Sequence, residues 1–273
     1  MRRPGRARCV MLGSPCRRAA PPRHHHRNRR TTTVHRGRAA RRGGDDTAVT
    51  GLSFEPLDVP TAEEESYRIL RSRIDLSRLP QLSRDLTERV ISASADFDYS
   101  TDLACDEESL AAGVAALAGG APVIADSAMV AAGITGSPVI SKISDSLTTR
   151  LARTAAISRA AAAVRLAFGD AGPGAVWVVG GGPAALQEIL ARRVEPAFVI
   201  GMPAGFAGAA EVKDALRASG LCSVSNVSEK GGPAVAVAAF SALLAHALAV
   251  KGSRAGWGPA AGGRGGERAA ENG

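Results

Sequence analysis

Few side chains in this sequence combine reactive chemistry with a setting that could hold them. Of the five histidines, His24, His25, His26 and His35 fall in the first 50 residues, and only His246 lies in the body of the chain. Imidazole is the side chain that most readily exchanges a proton near neutral pH. Their distribution excludes a histidine-dependent triad and a multi-histidine metal site from the body. His246 stands near the end of a long apolar run and reads as a surface or helix-end residue rather than a catalyst. Gly180-x-Gly182-x-x-Ala185 matches the loose dinucleotide fingerprint, which requires an acid at the end of the following strand to hold a ribose. That strand instead closes Ile200-Gly201-Met202, so the glycines read as a tight strand-to-helix turn. Arg89 and Ser92 are three residues apart and share a helix face, with Ser66 on the preceding helix. Asp126 ends an apolar strand, and Lys230 sits in a Ser228-Glu-Lys-Gly-Gly232 loop.

The elements that must position these groups follow from periodicity. Thr61-Ala-Glu-Glu64 predicts a capping box opening a helix with Tyr67, Leu70 and Ile74 on one side. Ser83 is the expected cap of a second helix reaching about Ala95, with Leu86 and Val90 buried. A short helix is expected from Glu107 to Leu117, ending at Gly119-Gly120. Strands are predicted at 122–126, 139–140, 175–180, 197–201 and 223–227. Helices are predicted at 128–132, 159–168, 183–192, 209–218 and 233–249. Apolar strands alternating with helices predict a parallel sheet covered on both faces, with a ligand site at the carboxyl ends of the strands.

Composition sets the outer limits. The chain has 273 residues and a formal charge of +8. Residues 1–50 hold 14 Arg against Asp45 and Asp46, with no aromatic residue, so the basic character belongs to that segment. It reads as a disordered basic tail, unable to bury enough apolar surface to offset chain entropy. The apolar run at 9–12 is too short for an export signal. The folded part is mildly acidic, so no nucleic-acid partner is expected for it. A folded domain is expected over 51–250, with 251–273 again loose and rich in Gly and Ala. No stretch of about 18 apolar residues is expected to span a membrane. The body cysteines, Cys105 and Cys222, have neither metal-ligand spacing nor the look of a disulfide framework, which points to a reducing cytoplasm.

Longer motifs carry a more specific signal. Gly201-Met-Pro-Ala-Gly-Phe-Ala-Gly-Ala-Ala-Glu-Val-Lys213 resembles the G-x-P-x-G-F-x-G-A-x-E-x-K pattern of the precorrin-8X (cobalt-precorrin-8) methylmutase family of cobalamin biosynthesis. Asp126-Ser-Ala-Met-Val-Ala-Ala-Gly-Ile134 is similar to its D-x-x-M-V-x-x-G-I, and 65–68 and 230–232 agree as well. The resemblance implies a three-layer α/β/α sandwich with a mainly parallel sheet, working as a homodimer. It implies an isomerase that moves a methyl group from carbon 11 to carbon 12 of the macrocycle. The substrate is precorrin-8X or cobalt-precorrin-8, any cobalt belongs to that substrate, and no cofactor or metal site is expected.

By the same resemblance, Ser66 and Arg89 bind substrate; Asp126 and Lys230, placed at strand ends, are expected to join them, and Arg89 with Lys230 should make the pocket basic toward a polycarboxylate. The family's second-helix motif is R, two apolar residues, then H-A, its histidine being the proton donor. Here it reads Arg89-Val90-Ile91-Ser92-Ala93, so Ser92 occupies the catalytic position. A serine hydroxyl is a far weaker acid than imidazolium. Asp96 or Asp98 is a candidate substitute donor, although an aspartate needs burial to act as an acid at pH 7, and both read as exposed helix-end residues. Gly181 and Ala207 also depart from the pattern. The expectation is an impaired isomerase; the alternative is a catalytically silent corrinoid-binding protein.

Overall fold

The computed structural model describes residues 59–255, so the expectations for the 1–50 tail and for most of 251–273 lie outside the described residues. Ten helices and six strands follow one another: α1 (Val59–Arg73), α2 (Gln81–Ser94), α3 (Tyr99–Asp102), β1 (Leu103–Ala104), α4 (Glu107–Ala118), β2 (Val123–Ala125), α5 (Ala128–Gly133), β3 (Val139–Ile140), α6 (Ser146–Thr154), α7 (Arg159–Ala171), β4 (Val176–Val179), α8 (Pro183–Arg192), β5 (Phe198–Gly201), α9 (Ala209–Ala218), β6 (Ser223–Asn226) and α10 (Pro233–Ala255).

The strands form one sheet in the order β1-β6-β5-β4-β2-β3, parallel except where β1 pairs antiparallel with β6. Side chains alternate across a strand, and here the two faces feed two cores. Val176, Val178, Phe198 and Ile200 enter a core with α2, α4, α5 and α10. Trp177, Val179 and Val199 enter another with α7, α8 and α9. This is the expected α/β/α sandwich with a mainly parallel sheet.

Three sequence expectations give way. Helix α1 begins at Val59, two residues before Thr61, which is therefore inside the helix rather than its cap. Ser83 is buried within α2. The N-terminus of α2 is capped from another element: the Glu107 carboxylate accepts from the backbone N–H of Leu82 and Ser83 at 2.8 and 3.0 Å and from Ser83 Oγ at 2.8 Å. A carboxylate at a helix N-terminus meets the unpaired N–H groups and the positive end of the dipole. Finally, Pro233–Gly252 is long and apolar enough to cross a membrane by length and composition, contrary to the expectation that no such stretch exists. In the fold this segment is a core helix, packing against α2, α4, α5, β4 and β5 through Val235, Ala236, Ala239, Phe240 and Leu243.

Candidate functional site

The carboxyl edge of the sheet is where an open α/β fold offers a ligand crevice, at the point where strand order reverses. That point lies between β2 and β4, and Asp126 closes it. Its Oδ1 accepts from the Gly180 N–H at 3.2 Å and its Oδ2 from the Gly181 N–H at 2.8 Å. The carboxyl group is only 5% exposed; burial pushes its pKa up, while the hydrogen bonds from Gly181 and Gly180 pull against that shift. A Cβ on Gly181 would sit 2.9 Å from Asp126 Oδ2, so glycine is what lets the turn reach the carboxylate. The Gly180–Gly182 turn is thus braced from β2.

The neighbouring loop after β6 is held by a second buried polar network. Lys213 lies on the apolar stripe of α9 with Ala209, Val212 and Leu216, and it is 0% exposed. Its Nζ donates to Asn226 Oδ1 at 3.0 Å, to the Lys230 carbonyl at 2.8 Å and to the Ser228 carbonyl. Asn226 Nδ2 donates to the Lys230 carbonyl at 2.8 Å and to Asp102 at 2.9 Å. Asp102 also accepts from the Ser228 N–H and hydroxyl, both at 2.7 Å. Burial pushes the Lys213 ammonium down to about 8, opposed by the charge of Asp102. Gly231, at φ 142°, presses on Met202, where any Cβ would meet the Met202 carbonyl oxygen. The Gly232 N–H donates to that same carbonyl at 2.8 Å, and the Gly205 N–H to the Glu229 carbonyl at 3.0 Å. Sequence reasoning used Lys213 only as the last letter of a motif. A lysine on an otherwise apolar helical stripe was the available signal that it has an internal task.

This stitched loop delivers Lys230 to the end of α2, where Nζ donates to Asp96 Oδ2 and Asp98 Oδ2, both at 2.7 Å. The hydrogen bond from Lys230 holds the Asp96 carboxyl below its ordinary value, which is the wrong direction for an acid at neutral pH. Asp96 is therefore no substitute proton donor in this arrangement.

The other predicted residues lie along α1 and α2. Ser66 and Ser92 are both exposed. The Arg89 guanidinium donates to Glu63 Oε1 at 2.8 Å and to Tyr67 Oη at 3.1 Å, with 39% of its side chain open to solvent. Helix α1 thereby presents Glu63 and Tyr67 to Arg89, and Ser66 is on the same helix. Arg71 makes a two-pronged pair with the buried Glu88, at 3.0 and 2.7 Å. With Arg89 paired to Glu63 and Lys230 to two aspartates, the expected basic pocket is a set of matched charges instead.

Arg89 opens onto a cleft between α1, α2 and α10, whose walls include Tyr67, Asp85, Glu88, Ser241 and His246. His246 was not expected there. Its Nε2 lies 3.0 Å from Asp85 Oδ2, because α10 runs back along α2 and places its last turns beside the start of that helix. Among the described residues, no cluster of three or more His, Cys, Asp or Glu is arranged to hold a metal.

The comparisons with known proteins agree on one family. The sequence profile of the precorrin-8X methylmutase family matches residues 61–246. A precorrin-8X methylmutase from a Sinorhizobium species is 34% identical over 197 residues, covering 68% of this chain and 93% of that protein. The cobalt-precorrin-8 methylmutase of Methanocaldococcus jannaschii is 32% identical over 193 residues, covering 67% and 91%. The crystal structure of precorrin-8X methylmutase from Thermus thermophilus superposes with a TM-score of 0.64 at 31% identity, covering 70% of this chain and 98% of that one.

Proposed function

Because the chain belongs to the precorrin-8X methylmutase family, we propose that it binds precorrin-8X or its cobalt form and moves a methyl group from carbon 11 to carbon 12 of the macrocycle. The observation that carries this reading is a family match running through the whole folded region, with Arg89 kept at the mouth of an open cleft. Ser66, Arg89 and Lys230 are the proposed contacts to the substrate carboxylates. Arginine suits that task because its planar fork can engage a carboxylate through two charge-assisted hydrogen bonds, and exchanging Glu63 for a substrate carboxylate leaves the guanidinium paired. Asp126 has its oxygens on the glycine turn, so its proposed part is to fix that turn. Phe206, 97% exposed in the loop between β5 and α9, offers an apolar face to a flat macrocycle.

Unless another group donates the proton, Ser92 makes this a slow member of the reaction class. Positioned proton donation is worth about 10²–10⁴-fold, and a serine hydroxyl at that place can hydrogen-bond but not protonate a ring nitrogen. The second reading, a corrinoid-binding protein without turnover, is favoured by that same substitution. Incubating the protein with precorrin-8X and following its absorbance separates them. A shift on mixing followed by slow conversion supports the isomerase; a stable shifted spectrum supports the binding protein; an unchanged spectrum at saturating protein removes both.

A homodimer working in the cytoplasm completes the proposal. It is supported by the resemblance and by the exposure of Ile69 on α1 and Leu248 and Val250 on α10. A monomeric mass in solution scattering would sink the dimer.

A further inference from the structure

Among the described residues His246 is the only imidazole, and the fold brings it from the second half of α10 into the cleft that Arg89 borders. Its side chain is 24% exposed, open enough to meet a ligand and fixed on one side. Asp85 provides the fixing, at 3.0 Å from Nε2. With Nε2–H donating to that carboxylate, Nδ1 is the nitrogen left for a ligand, and in imidazolium it too carries a proton. Asp85, Arg89 and Ser92 stand at i, i+4 and i+7 on α2, one stripe of a single helix. The step from Asp85 to Ser92 is about 10 Å along the axis, so His246 and Ser92 flank Arg89 from opposite ends of that stripe.

We infer that His246, oriented by Asp85, is the proton donor of this chain's methylmutase reaction, taking from α10 the task that Ser92 on α2 lacks the chemistry to perform. This rests on the isomerase reading above. The step balances without any co-reactant. The Nδ1–H bond breaks as an N–H bond forms on the macrocycle, leaving neutral imidazole. The methyl group leaves carbon 11 and bonds to carbon 12 as the double bonds shift. A ring proton then returns to Nδ1, so the net change is an isomerisation. The charged and titratable groups around the imidazole are Asp85, Glu88 and Arg89 from α2 and Tyr67 and Arg71 from α1, and Arg84 reaches the other oxygen of Asp85 at 3.6 Å. Glu88 and Arg71 neutralise one another, and Arg89 is held by Glu63, which leaves Asp85 as the carboxylate that addresses His246 directly.

The test uses the full chain with metal-free precorrin-8X, reading binding from the initial spectral shift and turnover from the slower change across a pH series. The wild-type protein is expected to turn over, with a limb in its pH profile from one group active when protonated. His246→Gln should lower kcat by about 10²-fold or more, leave affinity within about threefold and abolish that limb. Asp85→Asn should lower kcat less than His246→Gln does, because the imidazole remains but loses its orienting partner. Adding Ser92→His to His246→Gln should return turnover, because the imidazole is restored at the other end of the stripe. Wild-type kcat in His246→Gln, or an unchanged pH profile in that variant, overturns the inference. Binding without any turnover by the wild-type protein also overturns it while leaving the binding-protein reading intact. Absence of binding brings down the substrate assignment itself, a result distinct from both.

Discussion

Two regions of this molecule answer to different physical demands. At the carboxyl edge of the sheet, Asp126, the glycine turn, Lys213 and the Ser228–Gly232 loop are packed until polar groups meet and a single added Cβ would collide. Along α1, α2 and α10, by contrast, charged side chains pair across an open cleft and stay within reach of solvent. The stretches that most strongly resemble the family, 126–134 and 201–213, contribute to the first region. Ser92, where the sequence departs from the second-helix motif it resembles, lies on α2 in the second. Buried polar groups are costly to disturb because every partner lost stays desolvated. A half-exposed helix face lets a reactive group be lost, or supplied from a different helix, without unfolding anything.

The contrast can be broken most forcefully at Lys213. Lys213→Met removes the donor to two loop carbonyls and Asn226, and should destabilise the protein by about 3 kcal/mol or more, read as a lowered urea midpoint. The same lysine predicts a pH effect. Its pKa is lowered to about 8 from an ordinary 10.5, so between those values the unfolded chain holds a proton that the folded protein has released. Stability at this site therefore rises with pH through that window, and the slope should vanish in Lys213→Met. A wild-type midpoint that shows no such slope relative to the variant would mean the ammonium is better solvated than its burial indicates.

In the open region the expected effect is on rate. In the His246→Gln background, Ser92→His should raise kcat by about 10²-fold, with little change in urea midpoint because residue 92 is exposed. No gain despite substrate binding would mean that an imidazole at 92 does not reach the reacting ring. Asp126→Asn returns to the packed region on a smaller scale. One of its two acceptors becomes a donor facing a backbone N–H, which should cost about 1–3 kcal/mol; an unchanged thermal midpoint would show that the glycine turn stands without its brace. Arg89→Ala should weaken corrinoid binding by about 1 kcal/mol or more while altering stability little, since its partners Glu63 and Tyr67 can turn to water. Unchanged affinity would remove Arg89 from the site.

Much of the scaffold was legible because its signals are local. The strands at 176–179 and 198–201 are short, wholly apolar runs, and Pro183 opens α8 where a missing N–H does no harm. The α9 boundaries agree with the periodicity of Ala209, Val212 and Leu216. Elements whose reason is local but faint were missed. Helix α6 has Asp145 as its cap, accepting from the Leu147 N–H at 2.8 Å, and Leu147 and Leu151 one turn apart, but its nine residues make that signal short. The two residues of β1 exist only because β6 pairs with them.

Side-chain chemistry, periodicity and motif order were determined by the sequence alone: an α/β sandwich, the family, and Arg89 and Ser92 on one face of the second helix. What only the tertiary structure decided is which distant groups meet. Glu107 caps α2 from 24 residues away, Lys230 is matched by Asp96 and Asp98, and His246 reaches Asp85 across 161 residues of chain. The last of these meetings depends on the antiparallel docking of α10 on α2, which arises from burying the apolar faces of both helices against the sheet and each other. Burial is non-directional and proportional to area, so the spacing of polar residues within each helix says nothing of which partner the docking will bring.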